Sequence, residues 1–112
     1  MVANEEELVM ELVRLLASER QSVFDGFRRL VHGVKGLSIG RKWAELVALA
    51  IGIARGCSYC VEYHAREALK AGASRDEILD VISVALMMCG GPALPAAAAA
   101  LRVLKSSPRG SK

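Results

Sequence analysis

The sequence contains few aromatic residues and no stretch in which apolar and polar residues alternate. Of its 112 residues, five are Phe, Trp or Tyr, whereas 53% are hydrophobic and most of these are Ala, Leu and Val. Strands favour β-branched and aromatic mixtures, and alternation is the pattern of a half-buried strand. A hydrophobic fraction this high also excludes an intrinsically disordered chain. The composition therefore predicts an all-α protein.

Acidic residues are absent beyond Asp80, so the net charge of +3 arises in the C-terminal part of the chain. Up to Asp80 there are 11 basic and 12 acidic residues, and the later charges are Arg102, Lys105, Arg109 and Lys112. A nucleic-acid-binding face would combine clustered basic side chains with interleaved aromatics. We therefore expect a solvated basic tail and no nucleic-acid partner.

The sequence predicts neither of two kinds of targeting segment. Residues 4–7 are Asn-Glu-Glu-Glu, where a signal peptide would need a basic segment and an apolar run. Residues 81–101 carry no charge, but the Gly-Gly-Pro sequence at 90–92 interrupts them, which predicts two helices meeting at a turn and no membrane span. Three cysteines without a secretion signal favour a reducing compartment, so we expect a cytoplasmic protein.

The apolar residues recur at helical spacing along the whole chain, which predicts about six helices. The first three are expected to be capped by Asn4, Ser22 and Ser38, and the fifth to open with a capping box formed by Ser74 and Glu77. The third to sixth helices are predicted at about 39–54, 57–71, 74–88 and 94–105. The chain is interpreted as a single domain, 1–112, with its core at about 37–101 and a flexible tail at 106–112.

The third predicted helix is apolar on every side, so we expect it to be the central buried helix. Glu45 is the one charged residue between Trp43 and Ala54. A carboxylate in such a helix is costly unless it is paired or hydrogen-bonded. It could pair with Arg41 or Lys42, or it could serve a functional site.

The fourth predicted helix begins with a CxxC pair, Cys57 and Cys60, followed by His64. At 100° per residue these three side chains fall within about 60° of one another. Two cysteines three residues apart have Cα atoms about 5 Å apart, within the range for a disulfide. The free N–H groups of the helix start stabilise a thiolate, and His64 can accept the thiol proton. Glu45 can orient that imidazole or accept its proton in turn.

The spacing from Glu45 through Cys57 and Cys60 to His64 resembles the active-site signature of the alkyl hydroperoxidase D group. That group belongs to the carboxymuconolactone decarboxylase-like family. The run Ala-Leu-Lys-Ala-Gly-Ala at 68–73 and the Gly-Gly-Pro at 90–92 match as well, so the similarity covers about residues 37–101. The chain departs from the pattern at Tyr59, where the group often carries His.

The resemblance implies a small all-helical fold, assembly into trimers or hexamers, and antioxidant reduction of a small-molecule hydroperoxide without a metal or organic cofactor. In that group the second cysteine attacks the peroxide and becomes a sulfenic acid. The first cysteine then resolves it, so that Cys57 and Cys60 form a redox disulfide. Glu45 and His64 would form the proton relay, and a thioredoxin-like or dihydrolipoyl donor would supply the electrons.

Two other interpretations remain open at this stage. The chain could be a non-redox carboxymuconolactone decarboxylase-like enzyme or binding protein whose cysteines are incidental. It could instead be an interaction module stabilised by zinc, with Cys57, Cys60 and His64 as three ligands. A fourth ligand would then have to be Cys89, Glu45 or His32. Otherwise Cys89 is interpreted as a core or interface residue, and His32 as a surface residue.

The surplus of apolar residues predicts that the protein is a homo-oligomer. Six short helices in 112 residues cannot cover the third helix and the uncharged 81–101 segment on every side. Large exposed apolar patches are rare on soluble monomers. We therefore expect these surfaces to be buried between subunits.

Overall fold

The computed structural model describes residues 3–106, and these form helices and turns with no strand among them. The all-α prediction is therefore confirmed, including the CxxC pair at the start of the fourth helix. No helix in the described range is long and apolar enough to cross a bilayer. Apart from Ser106, the predicted flexible tail lies outside the described residues.

The chain divides into two compact units, the first ending at Leu37 and the second beginning at Ser38. The single-domain interpretation stays a prediction. The first unit contains α1 (Glu5–Glu19) and α2 (Gln21–Val34), which pack against each other. Phe24 is the one buried side chain of these two helices within the described residues.

The capping prediction for the first unit is right for α1 and wrong for α2. The Asn4 side chain accepts the Glu7 N–H at 2.8 Å, and the Glu7 side chain accepts the Asn4 N–H at 2.9 Å. Helix α2 begins one residue before Ser22, which therefore lies inside the helix, and Arg20 is at the cap without a side-chain bond. Because a single residue separates the two helices, no position is left for a separate capping serine.

The second unit is built around α3 (Gly40–Ala54), which packs mainly against α4 (Ser58–Lys70) and α5 (Arg75–Cys89). Its largest fully buried side chains are Leu46, Leu49, Ile53, Val61 and Ile78. Ser38 does not cap α3: Ile39 is at the cap, and Gly40 admits the turn into the helix with a φ of +79°. The capping box of Ser74 and Glu77 on α5 is present as predicted.

The predicted sixth helix is present, but it consists of short α-helical and 3₁₀ segments that follow one another directly. A 3₁₀ turn at Gly91–Ala93 leads into α6 (Leu94–Ala97), and a second one at Ala98–Ala100 leads into α7 (Leu101–Leu104). Pro95, which has no N–H to donate, stands in the first turn of α6. The small buried alanines of this segment pack against α4 and close the core.

Helix α3 is the central helix of the second unit, as predicted, but within one chain only one of its faces is buried. Leu46, Leu49, Gly52 and Ile53 are buried, whereas Trp43, Val47 and Ile51 are 48%, 51% and 53% exposed. The exposed residues recur every four positions and so form one stripe, which we call the α3 stripe. The neighbouring helices therefore cover only one side of α3.

Candidate active site

The CxxC pair forms the first turn of α4. Cys57 is the N-cap residue, and its Sγ accepts the backbone N–H of Cys60 at 3.2 Å. The two cysteines are joined by a disulfide, with their Cα atoms 5.3 Å apart. A sulfur at this position lies beside the unpaired N–H groups and the positive end of the helix dipole. The same surroundings would stabilise a thiolate after reduction of the disulfide.

Glu45 and His64 form a direct contact between α3 and α4. The Oε1 atom of Glu45 lies 2.7 Å from Nδ1 of His64. Both side chains are partly buried, with 16% of Glu45 and 28% of His64 exposed. A neutral imidazole that donates Nδ1–H to a carboxylate keeps Nε2 as a free acceptor. The pair can therefore take up a proton at Nε2 while the carboxylate stabilises the resulting charge.

The other charged residues near the start of α3 have partners of their own. Arg41 contacts Glu67 of α4 at 2.8 Å, and Lys42 contacts Glu77 of α5 at 3.1 Å. The alternative in which Glu45 pairs with Arg41 or Lys42 is therefore wrong, because both cations bind carboxylates on other helices. Glu45 therefore pairs with His64 and not with a cation of its own helix.

Gly52 permits the close approach of α3 to the cysteine pair, and sequence reasoning missed it. A Cβ atom placed on Gly52 would lie 3.1 Å from the Cβ of Cys60, closer than most real contacts of this kind. The Gly52 carbonyl also accepts the backbone N–H of Cys57 at 3.0 Å. A glycine inside an otherwise apolar helix is a signal of close packing. Here that packing places Cys60 directly against α3.

Two tyrosines border the cysteine–histidine face of α4. Tyr59 and Tyr63 are stacked with ring centroids 6.3 Å apart, and Tyr63 meets the His64 ring edge-on at 5.0 Å. Burial raises the pKa of the Tyr63 phenol above its ordinary value, and the charges of Glu67 and Glu45 raise it further against the opposing effect of Arg41. The Tyr63 phenol is therefore neutral at physiological pH.

The zinc-ligand interpretation finds no support in the geometry of residues 3–106. No group of three or more His, Cys, Asp and Glu side chains in this range is placed to hold a metal ion. Cys89, at the end of α5, is an exposed free thiol, so it is not a core residue of the single chain. His32 is exposed on α2, where it lines a surface pocket with Asp25, Arg28 and Arg29.

The fold and the site define a small all-helical protein with a CxxC pair beside a carboxylate–histidine pair. The carboxymuconolactone decarboxylase family model matches residues 21–103. The chain belongs to this family. A crystal structure of an apo carboxymuconolactone decarboxylase family protein from Legionella pneumophila superposes with a TM-score of 0.80 and 28% identity over 90% of each chain.

Curated relatives match over shorter stretches. An uncharacterised protein of Cupriavidus necator is 37% identical over 51% of this chain, and a protein of the cox locus of Paracoccus denitrificans is 33% identical over 60%. The matches span 50% and 60% of those two proteins. The alkyl hydroperoxide reductase AhpD of Coxiella burnetii is 38% identical over 46% of this chain and 29% of its own length.

Proposed function

We propose that this protein is a thiol–disulfide oxidoreductase that reduces hydroperoxides through Cys57 and Cys60. The observation that carries the proposal is the Glu45–His64 contact on the same face of the helix that begins with the CxxC pair. A core cysteine pair needs no acid–base group, whereas a reactive thiol does. The similarity to AhpD over part of the chain supports the same chemistry.

In the proposed cycle, Nε2 of His64 accepts the thiol proton of Cys60. The resulting thiolate attacks one oxygen of the hydroperoxide, the O–O bond breaks, and the leaving alkoxide takes a proton to become an alcohol. Cys60 is thereby oxidised to a sulfenic acid. The Cys57 thiol attacks this sulfur and releases water, which forms the Cys57–Cys60 disulfide present in the structure. A dithiol donor of the thioredoxin-like or dihydrolipoyl class returns both cysteines to thiols and is itself oxidised to a disulfide.

The positions of the two cysteines support this division of roles. Cys60 lies one turn before His64 and packs against Gly52 of α3. Cys57 stands at the N-cap, where the helix begins, and we expect an external dithiol to attack this cysteine. We expect the cycle to operate in a reducing compartment such as the cytoplasm, because the disulfide must be reduced in every turnover.

A thiol count tests the proposal. The fully reduced protein should lose two thiols per chain on addition of one equivalent of peroxide, with Cys89 remaining free and no zinc found by metal analysis. Unchanged thiols would instead support the non-redox interpretation within the same family. Retention of one bound zinc per chain would support the zinc-stabilised module.

Single cysteine variants test the proposed roles of Cys60 as the attacking cysteine and Cys57 as the resolving one. Cys60→Ser should abolish peroxide consumption, whereas Cys57→Ser should leave one sulfenic acid that a dimedone-type reagent traps. The control is Cys89→Ser, which should keep full turnover because this thiol lies apart from the disulfide on α5. Equal trapping of sulfenic acid in the Cys57 and Cys60 variants would contradict the assignment.

A further inference from the structure

The contact with Glu45 restrains the His64 imidazole at one atom, Nδ1. The imidazole can still turn about the Cα–Cβ and Cβ–Cγ bonds, and a turn that breaks the Glu45 contact would also change the direction of Nε2. A proton acceptor must be held within hydrogen-bond reach of its donor to be effective. A second restraint on the imidazole would therefore favour the proposed proton transfer.

The Tyr63 ring provides a contact of the required kind. Its plane is at 85° to the His64 ring, with the centroids 5.0 Å apart, which is an edge-to-face arrangement. Consecutive residues of a helix point about 100° apart and do not normally face each other. The two side chains are therefore turned toward one another, and their rings are in contact.

Tyr63 is itself supported by Tyr59, one turn earlier on α4. The two rings are within 13° of parallel, with their centroids 6.3 Å apart. Tyr63 is 42% exposed, so its ring is not part of the core. Because burial, and after it the charges of Glu67 and Glu45, raise the pKa of its phenol above the ordinary value, the ring brings no second negative charge to the Glu45–His64 pair.

We propose that Tyr63 is a positioning residue that holds the His64 imidazole with Nδ1 on Glu45 and Nε2 free. The proposal rests on the proposed function, because it assigns to Tyr63 a part in the proton transfer that activates Cys60. It is the ring of Tyr63 that acts, by contact with the imidazole, and its hydroxyl is dispensable.

The first test is the imidazole tautomer, read from ¹H–¹⁵N spectra of the side chains. The chain has two histidines, so a His32→Gln variant assigns both imidazoles. At a pH where His64 is neutral, the wild-type protein and Tyr63→Phe should show one tautomer, with the proton on Nδ1. Tyr63→Leu and Tyr63→Met, which lack the aromatic ring, should show a mixture of the two tautomers.

The second test is peroxide turnover by the same variants. Tyr63→Leu should lower kcat by about 10- to 100-fold with KM nearly unchanged, the scale on which a misplaced catalytic group loses rate. Tyr63→Phe should restore kcat to within about 2-fold of wild type, since the ring alone positions the imidazole. The control is Phe27→Leu, which removes an exposed aromatic ring from α2 and should change neither tautomer nor rate.

The outcomes separate the two proposals. A single Nδ1–H tautomer in both Tyr63→Leu and Tyr63→Met would overturn the positioning role, whether or not the protein reduces peroxide. An equal loss in Tyr63→Phe and Tyr63→Leu would overturn it by showing that the hydroxyl is what matters. A shift in tautomer in a protein without peroxide turnover would uphold the positioning role and reject the proposed reaction.

Discussion

At the scale of single residues, the site depends on which partner each carboxylate takes. Glu45 had two cations within one turn of its own helix, but Arg41 and Lys42 bind Glu67 and Glu77 on neighbouring helices. Pairing across helices leaves Glu45 to the imidazole of His64. Glu45 is therefore available for the proton relay that we propose.

Replacing Glu45 by Gln tests this relay. The amide keeps the shape of the side chain but removes its charge, so it stabilises the imidazolium less. We expect peroxide reduction to slow by about ten- to a thousand-fold, less than the roughly 10²- to 10⁴-fold of a direct general acid–base group, because Glu45 acts only through His64. The measurement is the rate of peroxide consumption by the reduced protein as a function of pH.

A carboxylate outside the site serves as the matched control for Glu45. Glu62 lies on the other side of α4 and pairs with Arg66 and Arg102. Glu62→Gln should leave the rate within about 2-fold of wild type, because its charge does not reach the thiol face. If Glu45→Gln and Glu62→Gln had the same pH–rate profile, Glu45 would have no part in the mechanism.

At the scale of helices, the close packing of α3 on the start of α4 is what assembles the site. The same pair of helices makes the Glu45–His64 contact, the Arg41–Glu67 ion pair and the Gly52–Cys60 approach. Side chains at both ends of the α3–α4 interface are therefore held in one register. Among the glycines described, Gly52 is the one at which an added methyl group would meet the closest neighbour, the Cβ of Cys60.

Gly52→Ala should destabilise the protein although alanine is the better helix former. Alanine gains up to about 1 kcal/mol of helix propensity, but overpacking costs about 1–3 kcal/mol because the new Cβ would press on Cys60. We expect a net loss of about 1 kcal/mol in the free energy of unfolding, measured with urea. Gly26→Ala is the control, since nothing lies within 4 Å of a Cβ at that position of α2. An equal gain in both variants would refute the packing argument.

The capping box of α5 should make stability depend on pH. The backbone N–H of Ser74 and the ammonium group of Lys42 hold the pKa of Glu77 below its ordinary value of 4.5. Since the folded pKa is the lower one, the ionised carboxylate stabilises the native state above pH 4.5 and loses this effect as the pH falls through the folded pKa. Glu77→Gln should therefore be less stable than wild type at pH 7 and equally stable in strong acid.

Urea unfolding at several pH values measures this difference. Lys42→Met provides the comparison. It removes the weaker of the two contacts that lower the pKa of Glu77 and leaves the hydrogen bond from the Ser74 N–H in place. The pH-dependent difference should shrink in a Lys42→Met background but persist. A Glu77→Gln variant whose stability follows wild type at every pH would show that the capping carboxylate contributes nothing.

At the scale of the whole molecule, the apolar surface exceeds what one chain covers. The α3 stripe is about half exposed, and Met87 and Met88 of α5 are 73% and 76% exposed. Burying a side chain of this size contributes about 1.5–3 kcal/mol, a large share of a small domain's stability. We propose that a second copy of the chain covers the α3 stripe in a trimer, or in a hexamer built from it.

Light scattering at micromolar concentration tests the oligomer. The mass should be three or six times the 12.0 kDa of one chain. Val47→Glu places a charge in the middle of the α3 stripe and should shift the mass toward the monomer, whereas Asp80→Asn on α5 should not. A stable monomer of wild-type protein would rule out the proposed interface.

The helices could be predicted from the sequence because their signals are local. Apolar spacing, the N-cap at Asn4, the capping box at Ser74, and the Gly-Gly-Pro break depend on residues within one or two turns. The wrong predictions concern the residues at which α2 and α3 begin. Ser22 and Ser38 are capping residues by type, but a one-residue link at Arg20 and the positive φ of Gly40 begin the helices elsewhere.

The sequence by itself determined that Cys57, Cys60 and His64 share one face of a helix, because the helical repeat is a property of the backbone. Only the tertiary structure decided that Glu45 pairs with His64 and that Gly52 admits Cys60, and only the side-chain geometry on α4 shows that Tyr63 turns against the imidazole. Contacts between helices depend on their register and separation, which the packing of the whole core determines. The α3 stripe shows the same limit: its apolar residues were evident in the sequence, but which of them the chain itself buries depends on where the neighbouring helices lie.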